Sequence, residues 1–174
     1  MMITSKMKIA LFTTLFLALA SFSHALVAPL TFAQKCRDSD AILEITVEKI
    51  EKVELTEGMS WQFKALARCK VTASFKGDDN WEEQFVFIPC DYQFDESPCD
   101  IEPGKRYVVF LETMGNFSKF GHPLSASCCH EIVDGKAHTG IGGSEAVDLK
   151  VFAEKVRVVL VRAARITKKT KPQR

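Results

Sequence analysis

Only 9 glycines and 6 prolines occur in 174 residues, which excludes a collagen-like repeat and a flexible linker. No Cys-x-x-Cys, Gly-x-Ser-x-Gly or His-Glu-x-x-His occurs. The usual arrangements of thiol–disulfide exchange, serine hydrolysis and zinc peptidase chemistry are therefore missing. The glycine-rich stretch 140–143 lacks the Lys-Ser/Thr of a phosphate-binding loop. Cys128, Cys129, His130 and His138 lie close together, but their spacing lacks the paired ligand knuckles of a zinc site. Asp78, Asp79, Glu82 and Glu83 lack the frame of a calcium loop. Nothing here points to side-chain catalysis, a metal or a cofactor, and the chain reads as a binding protein and not an enzyme.

Charge is absent from residues 9–34. Lys6 and Lys8 precede this stretch, residues 9–22 form its most apolar part, and Ser23-His24-Ala25 places small residues where signal peptidase needs them. This predicts a signal peptide over 1–33, cut after Ala25 or after Ala33, and a secreted or periplasmic protein. A membrane anchor is the alternative reading, and a segment of this length crosses once at most. The six cysteines all follow the leader. An even number in an exported chain predicts disulfides, with Cys36, Cys90, Cys99, Cys128 and Cys129 as candidates and the pairing open. Cys69 falls on an inward face, where a buried thiol and a bridge are equally compatible with the pattern.

Period-two alternation dominates the middle of the chain. Ala41, Leu43, Ile45 and Val47 share one face of a strand over 41–55. Trp61, Phe63, Ala65, Ala67, Cys69, Val71, Ala73 and Phe75 share one face of a longer strand over 61–75, whose small inward residues allow tight coiling. Further strands are expected over 81–88, 104–112 and 124–133, with loops over 89–103 and 113–123 and a turn at Asp134-Gly135. Ser144 is the expected cap of a helix, with Glu145 and Asp148 in its first turn and Leu149, Phe152, Ala153, Val156, Val159, Leu160 and Ala163 recurring at helical spacing. The expected fold is mainly β: a five-stranded, OB-like antiparallel barrel over 34–143 with a C-terminal α-helix and basic tail over 144–174. A plain β-sandwich is the runner-up.

Several motifs together resemble netrin-like modules, the superfamily that includes the tissue inhibitors of metalloproteinases. They are Cys36 followed by Ser39-Asp40-Ala41-Ile42-Leu43, the turn Phe75-Lys76-Gly77, and Cys99 followed by Gly104-Lys105-Arg106-Tyr107 and an apolar strand. The resemblance spans about residues 36–133 and implies an OB-like barrel. It also implies a protein-binding module of inhibitor type. In such inhibitors a mature N-terminal cysteine chelates the target enzyme's zinc through its α-amine and carbonyl, which would give that role to Cys36, Arg37 and Asp38. Here Gln34 and Lys35 stand before Cys36, and Arg37-Asp38 replaces the Cys-x-Cys start of those inhibitors. Alternatively, the resemblance suggests Cys36 staples the N-terminus to the barrel through Cys99, Cys128 or Cys129. The implied partner is an extracellular or periplasmic protein, a metalloprotease among them.

The formal net charge of +1 conceals an asymmetry. Residues 34–154 hold 13 basic and 22 acidic side chains, whereas residues 155–174 hold 8 basic and none acidic. Arg162, Arg165, Lys168, Lys169 and Lys171 form a candidate anion-binding tail, and netrin-type modules with such tails bind acidic polysaccharides. No aromatic residue interleaves with these cations, so a nucleic-acid partner is not expected. The other readings are a solvated helix end, where cations suit the dipole, and docking of the tail on the acidic loop over 91–102.

Overall fold

The computed structural model describes residues 30–53, 63–77, 84–92, 100–114, 117–139 and 144–170. The leader over 1–29, Trp61, Asp78, Asp79, Glu82, Glu83, Cys99, Lys171 and most of the acidic loop lie outside the described residues. The described chain begins with a short helix, α1 (Phe32–Asp38). Five strands follow: β1 (Ala41–Lys52), β2 (Phe63–Lys76), β3 (Phe85–Tyr92), β4 (Arg106–Met114) and β5 (Phe117–Pro123). A single 3-10 turn, Ala126–Cys128, leads into β6 (Cys129–Val133), β7 (Lys136–Thr139) and β8 (Glu145–Asp148). The described chain ends in α2 (Leu149–Thr170), a helix of 22 residues.

The strand order is β1-β2-β3-β5-β4, and β4 pairs back with β1 to close a five-stranded barrel. The fold is thus mainly β with a closed barrel and a C-terminal helix, as the alternation implies. Several details differ from the sequence reading. The barrel is not wholly antiparallel, because β3 and β5 run parallel through the pair Phe87↔Phe120, whose rings stack with centroids 5.4 Å apart. The fifth barrel strand is β5, inside the stretch expected to be a loop. Gly121 and Pro123 give that strand a turn-like composition, and Gly121 is required there because a Cβ would meet Leu111 Cδ1 at 2.6 Å. The expected strand over 124–133 yields only β6, which extends the sheet from β4. Ser144 does not cap the helix. Glu145–Asp148 is strand β8, paired with β7, and the helix starts at Leu149 with the Asp148 carboxylate accepting from Lys150 N at 2.8 Å.

Alternation along β2 holds from Phe63 to Val71, with Ala65, Ala67, Cys69 and Val71 buried inside the barrel. Register shifts against β1 then interrupt it, and Phe75 turns out to the helical side, where its ring meets Phe152 at 5.7 Å. Bulges of this kind bend a strand and re-aim its side chains. Between β6 and β7, Asp134 (φ 50) and Gly135 (φ 74) both take positive φ, the geometry of a two-residue primed turn.

Two cores share one wall. Leu43, Ile45, Val47, Ala67, Val86, Ile88, Tyr107, Val109 and Leu111 fill the barrel. Ile42, Val108, Phe110, Ile132, Ala137, Phe152 and Val156 form a second core between the barrel wall, the β6–β8 extension and the helices. The run Tyr107-Val108-Val109-Phe110-Leu111 is buried on both faces, which explains why it reads as continuous apolar sequence. Phe110 is fully buried and its ring meets those of Phe32, His130 and Phe152 edge-on at 5.7 to 6.1 Å. Phe110→Ala should lower stability by about 3–5 kcal/mol in urea denaturation, whereas replacement of the exposed Val133 by Thr should leave the midpoint nearly unchanged.

Candidate functional site

Two regions hold the sequence-predicted site residues, and the structure treats them oppositely. The Cys36 segment is turned inward. Thr31 caps α1 in a capping box with Gln34, and the Phe32 ring seats on Phe110 and Phe152. Lys35 and Cys36 then point into the fold, at 8% and 0% exposure. The Lys35 ammonium donates to the Ser127 carbonyl oxygen. Burial draws its pKa down, while the neighbouring Cys128 and Cys36 thiols oppose that shift. Burial pushes the Cys36 thiol up to about 11, against the pull of the Lys76 and Lys35 ammonium groups. Arg37 and Asp38 are exposed at the end of the helix.

Lys76, from the Phe75-Lys76-Gly77 turn, closes the other end of α1. Its ammonium donates to the carbonyl oxygens of Cys36 (2.9 Å), Arg37 (3.0 Å) and Ser39. A cation placed on the last carbonyls of a helix satisfies orphan acceptors and suits the dipole. Asp40 then accepts from the Thr113 amide and hydroxyl, both at 2.9 Å, and these bonds hold its carboxyl below the usual range. Gly104 (φ 83) makes the turn into β4, and Tyr107 Oη accepts from Glu102 N at 3.0 Å. The described motif residues that carry the netrin-like resemblance are therefore joints of the fold.

The candidate disulfide set divides. Cys36 and Cys128 are free, buried thiols, Cys90 is buried and forms no disulfide, and Cys69 is a free, buried thiol that burial above all pushes up to about 12. Cys129 is disulfide-bonded, and Cys99 lies outside the described residues. A bridge from Cys36 to Cys128 is thus not formed, although both thiols line the outer core. Among the described residues no three His, Cys, Asp or Glu side chains converge as a metal site.

The cationic region faces outward. Of α2, Phe152 and Val156 are buried, with Leu149, Val159 and Leu160 packed beside them. The opposite face presents Val151, Lys155, Val158, Val161, Arg162 and Arg165. Glu154, the only acid in the helix, binds Arg157 through two bonds of 2.8 and 2.9 Å. Lys155 lies 3.9 Å from Glu145. Arg162 and Arg165 form no ion pair among the described residues, and Lys168 and Lys169 follow in the last turn. Between α1 and α2 lies an open groove of about 490 Å³ with apolar walls, lined by Phe32, Val151, Val158 and Val159 with Lys150, Glu154 and Lys155. Sequence periodicity identified the inward stripe of this helix but not the exposed valines, because their regular recurrence is visible only once the buried face is known.

His130 lies in the outer core beside the rings of Phe110 and Phe152. It is 4% exposed, and its Nδ1 lies 3.2 Å from the His138 carbonyl oxygen. Burial, then the Lys35 charge, draws its pKa down to about 4, against the opposing bond to His138. The folded protein keeps the ring neutral while the unfolded chain protonates near pH 6.5. Stability from this residue is therefore complete above about pH 6.5 and is lost as pH falls towards 4, by roughly 3 kcal/mol at the limit. Thermal melts across this window should show a steep decline that is reduced in His130→Gln; identical slopes would refute it.

No protein-family model matches the chain, and no curated protein matches it significantly.

Proposed function

We propose that this is an exported, non-enzymatic binding domain of netrin-like type whose outward face on α2 engages a polyanion. The observation that carries the proposal is the single-sign charge of residues 155–174 on a helix whose Arg162 and Arg165 are exposed and without ion pairs among the described residues. Such a surface concentrates an anionic ligand by its field. Acidic polysaccharide is the ligand class that the sequence resemblance suggests.

The inhibitor-type reading, with a metalloprotease as partner, would need the Cys36 amine and carbonyl presented to a metal. The carbonyl oxygen accepts from Lys76, and the residue lies inside α1. Cleavage directly before Cys36 would remove the capping box, the Phe32 ring and the Lys35–Ser127 bond. Binding through α2 avoids this cost. The same packing favours cleavage of the leader after Ala25 over cleavage after Ala33, since the second cut falls within α1. Intact-mass measurement of the exported protein should give a chain beginning at Leu26; a chain beginning at Gln34 would overturn this.

Retention on a heparin column should fall when residues 167–174 are deleted and fall further in Arg162→Gln/Arg165→Gln. Retention unchanged by both alterations would refute the polyanion proposal.

A further inference from the structure

The exposed face of α2 is not simply cationic. Val151, Val158 and Val161 are 51%, 37% and 44% exposed, and Ile166 is 65% exposed. At 3.6 residues per turn, positions 151, 155, 158, 162 and 165 fall on one stripe. Aliphatic side chains and cations therefore share a single face: Val151, Lys155, Val158, Arg162, Arg165. The apolar groove beside Phe32 adjoins the stripe at Val151 and Val158.

We infer that this face lies on an anionic phospholipid surface, with the valines at the acyl boundary and the Lys and Arg side chains at the headgroups. The inference rests on the polyanion reading above and specifies its ligand. A sulfated polysaccharide offers charge and hydroxyl groups but no apolar layer, so it would leave the valines in water. An anionic bilayer satisfies both halves of the stripe, with apolar contact below and negative charge at the height of the cations. The long stems of Lys155, Arg162 and Arg165 suit that depth, since such side chains bury their methylenes and keep their charge at the interface. The helix is already ordered by Phe152 and Val156 on its other face, so binding does not have to fold it. Of the acids at this face, Glu154 is neutralised by Arg157 and Glu145 lies 3.9 Å from Lys155, so Arg162 and Arg165 are the stripe's cations without an acidic partner among the described residues. Among the described residues no helix is long and apolar enough to cross a membrane, so the contact is one of lying on the surface.

Co-sedimentation of the exported protein with vesicles tests this. Vesicles of phosphatidylcholine mixed with phosphatidylglycerol should carry the protein down, and vesicles of phosphatidylcholine alone should not. Val151→Ser/Val158→Ser/Val161→Ser, with folding checked by circular dichroism, should lose most vesicle binding and keep heparin retention. Arg162→Gln/Arg165→Gln should lose both. Heparin retention without vesicle binding, or a valine variant that binds vesicles as well as the parent, would overturn the lipid inference and leave the polyanion reading standing. Equal binding to both vesicle types would overturn it as well. Failure on heparin and vesicles alike would overturn both.

Discussion

Strand β4 is the constraint on which the rest of the structure depends. Its odd positions, Tyr107, Val109 and Leu111, close the barrel, and its even positions, Val108 and Phe110, form the floor of the helical layer. It pairs with β1, β5 and β6, so barrel closure and the β6–β8 extension are both built on it. Neither core can form without the strand that serves the other. Helix α2 is thereby held by a surface that the barrel must present anyway, and its outward face is left for other uses.

The legible parts of the fold were those where one period governs one element. The β2 alternation and the inward stripe of α2 are of this kind, because a single buried face imposes each. Where two influences meet, the pattern fails. In β5, Gly121 must clear Leu111 and Pro123 ends the strand, so residues that signal a turn occupy a barrel strand. Before α2, Glu145 and Asp148 have the composition of a helix start, but pairing with β7 claims them for a strand, leaving Asp148 alone as the cap. Helix α1 has seven residues, too few for a helical period to be read. The burial of Cys36 was consequently not visible, although the exposure of Arg162 and Arg165 was.

Charged residues in this protein divide by what surrounds them. Lys76, Lys35 and Glu44 are pinned within the structure: Lys76 by three carbonyl oxygens, Lys35 by Ser127, and Glu44 by Thr72 and Arg106. A buried charge is tolerable only when its bonds are made in this way. Arg162 and Arg165 on α2 are exposed and form no ion pair among the described residues.

The length of α2 beyond Leu160 has a consequence of its own. Leu160 packs against the outer core, and the helix continues to Thr170. That is about 15 Å of helix axis at 1.5 Å per residue. In physiological salt the field of a charge decays over about 8 Å. Arg162 and Arg165 stand on this stretch, about 20 Å along the helix axis from the acids Glu145 and Asp148 before its first turn, so fraying of the last turns would move these two cations without loosening either core.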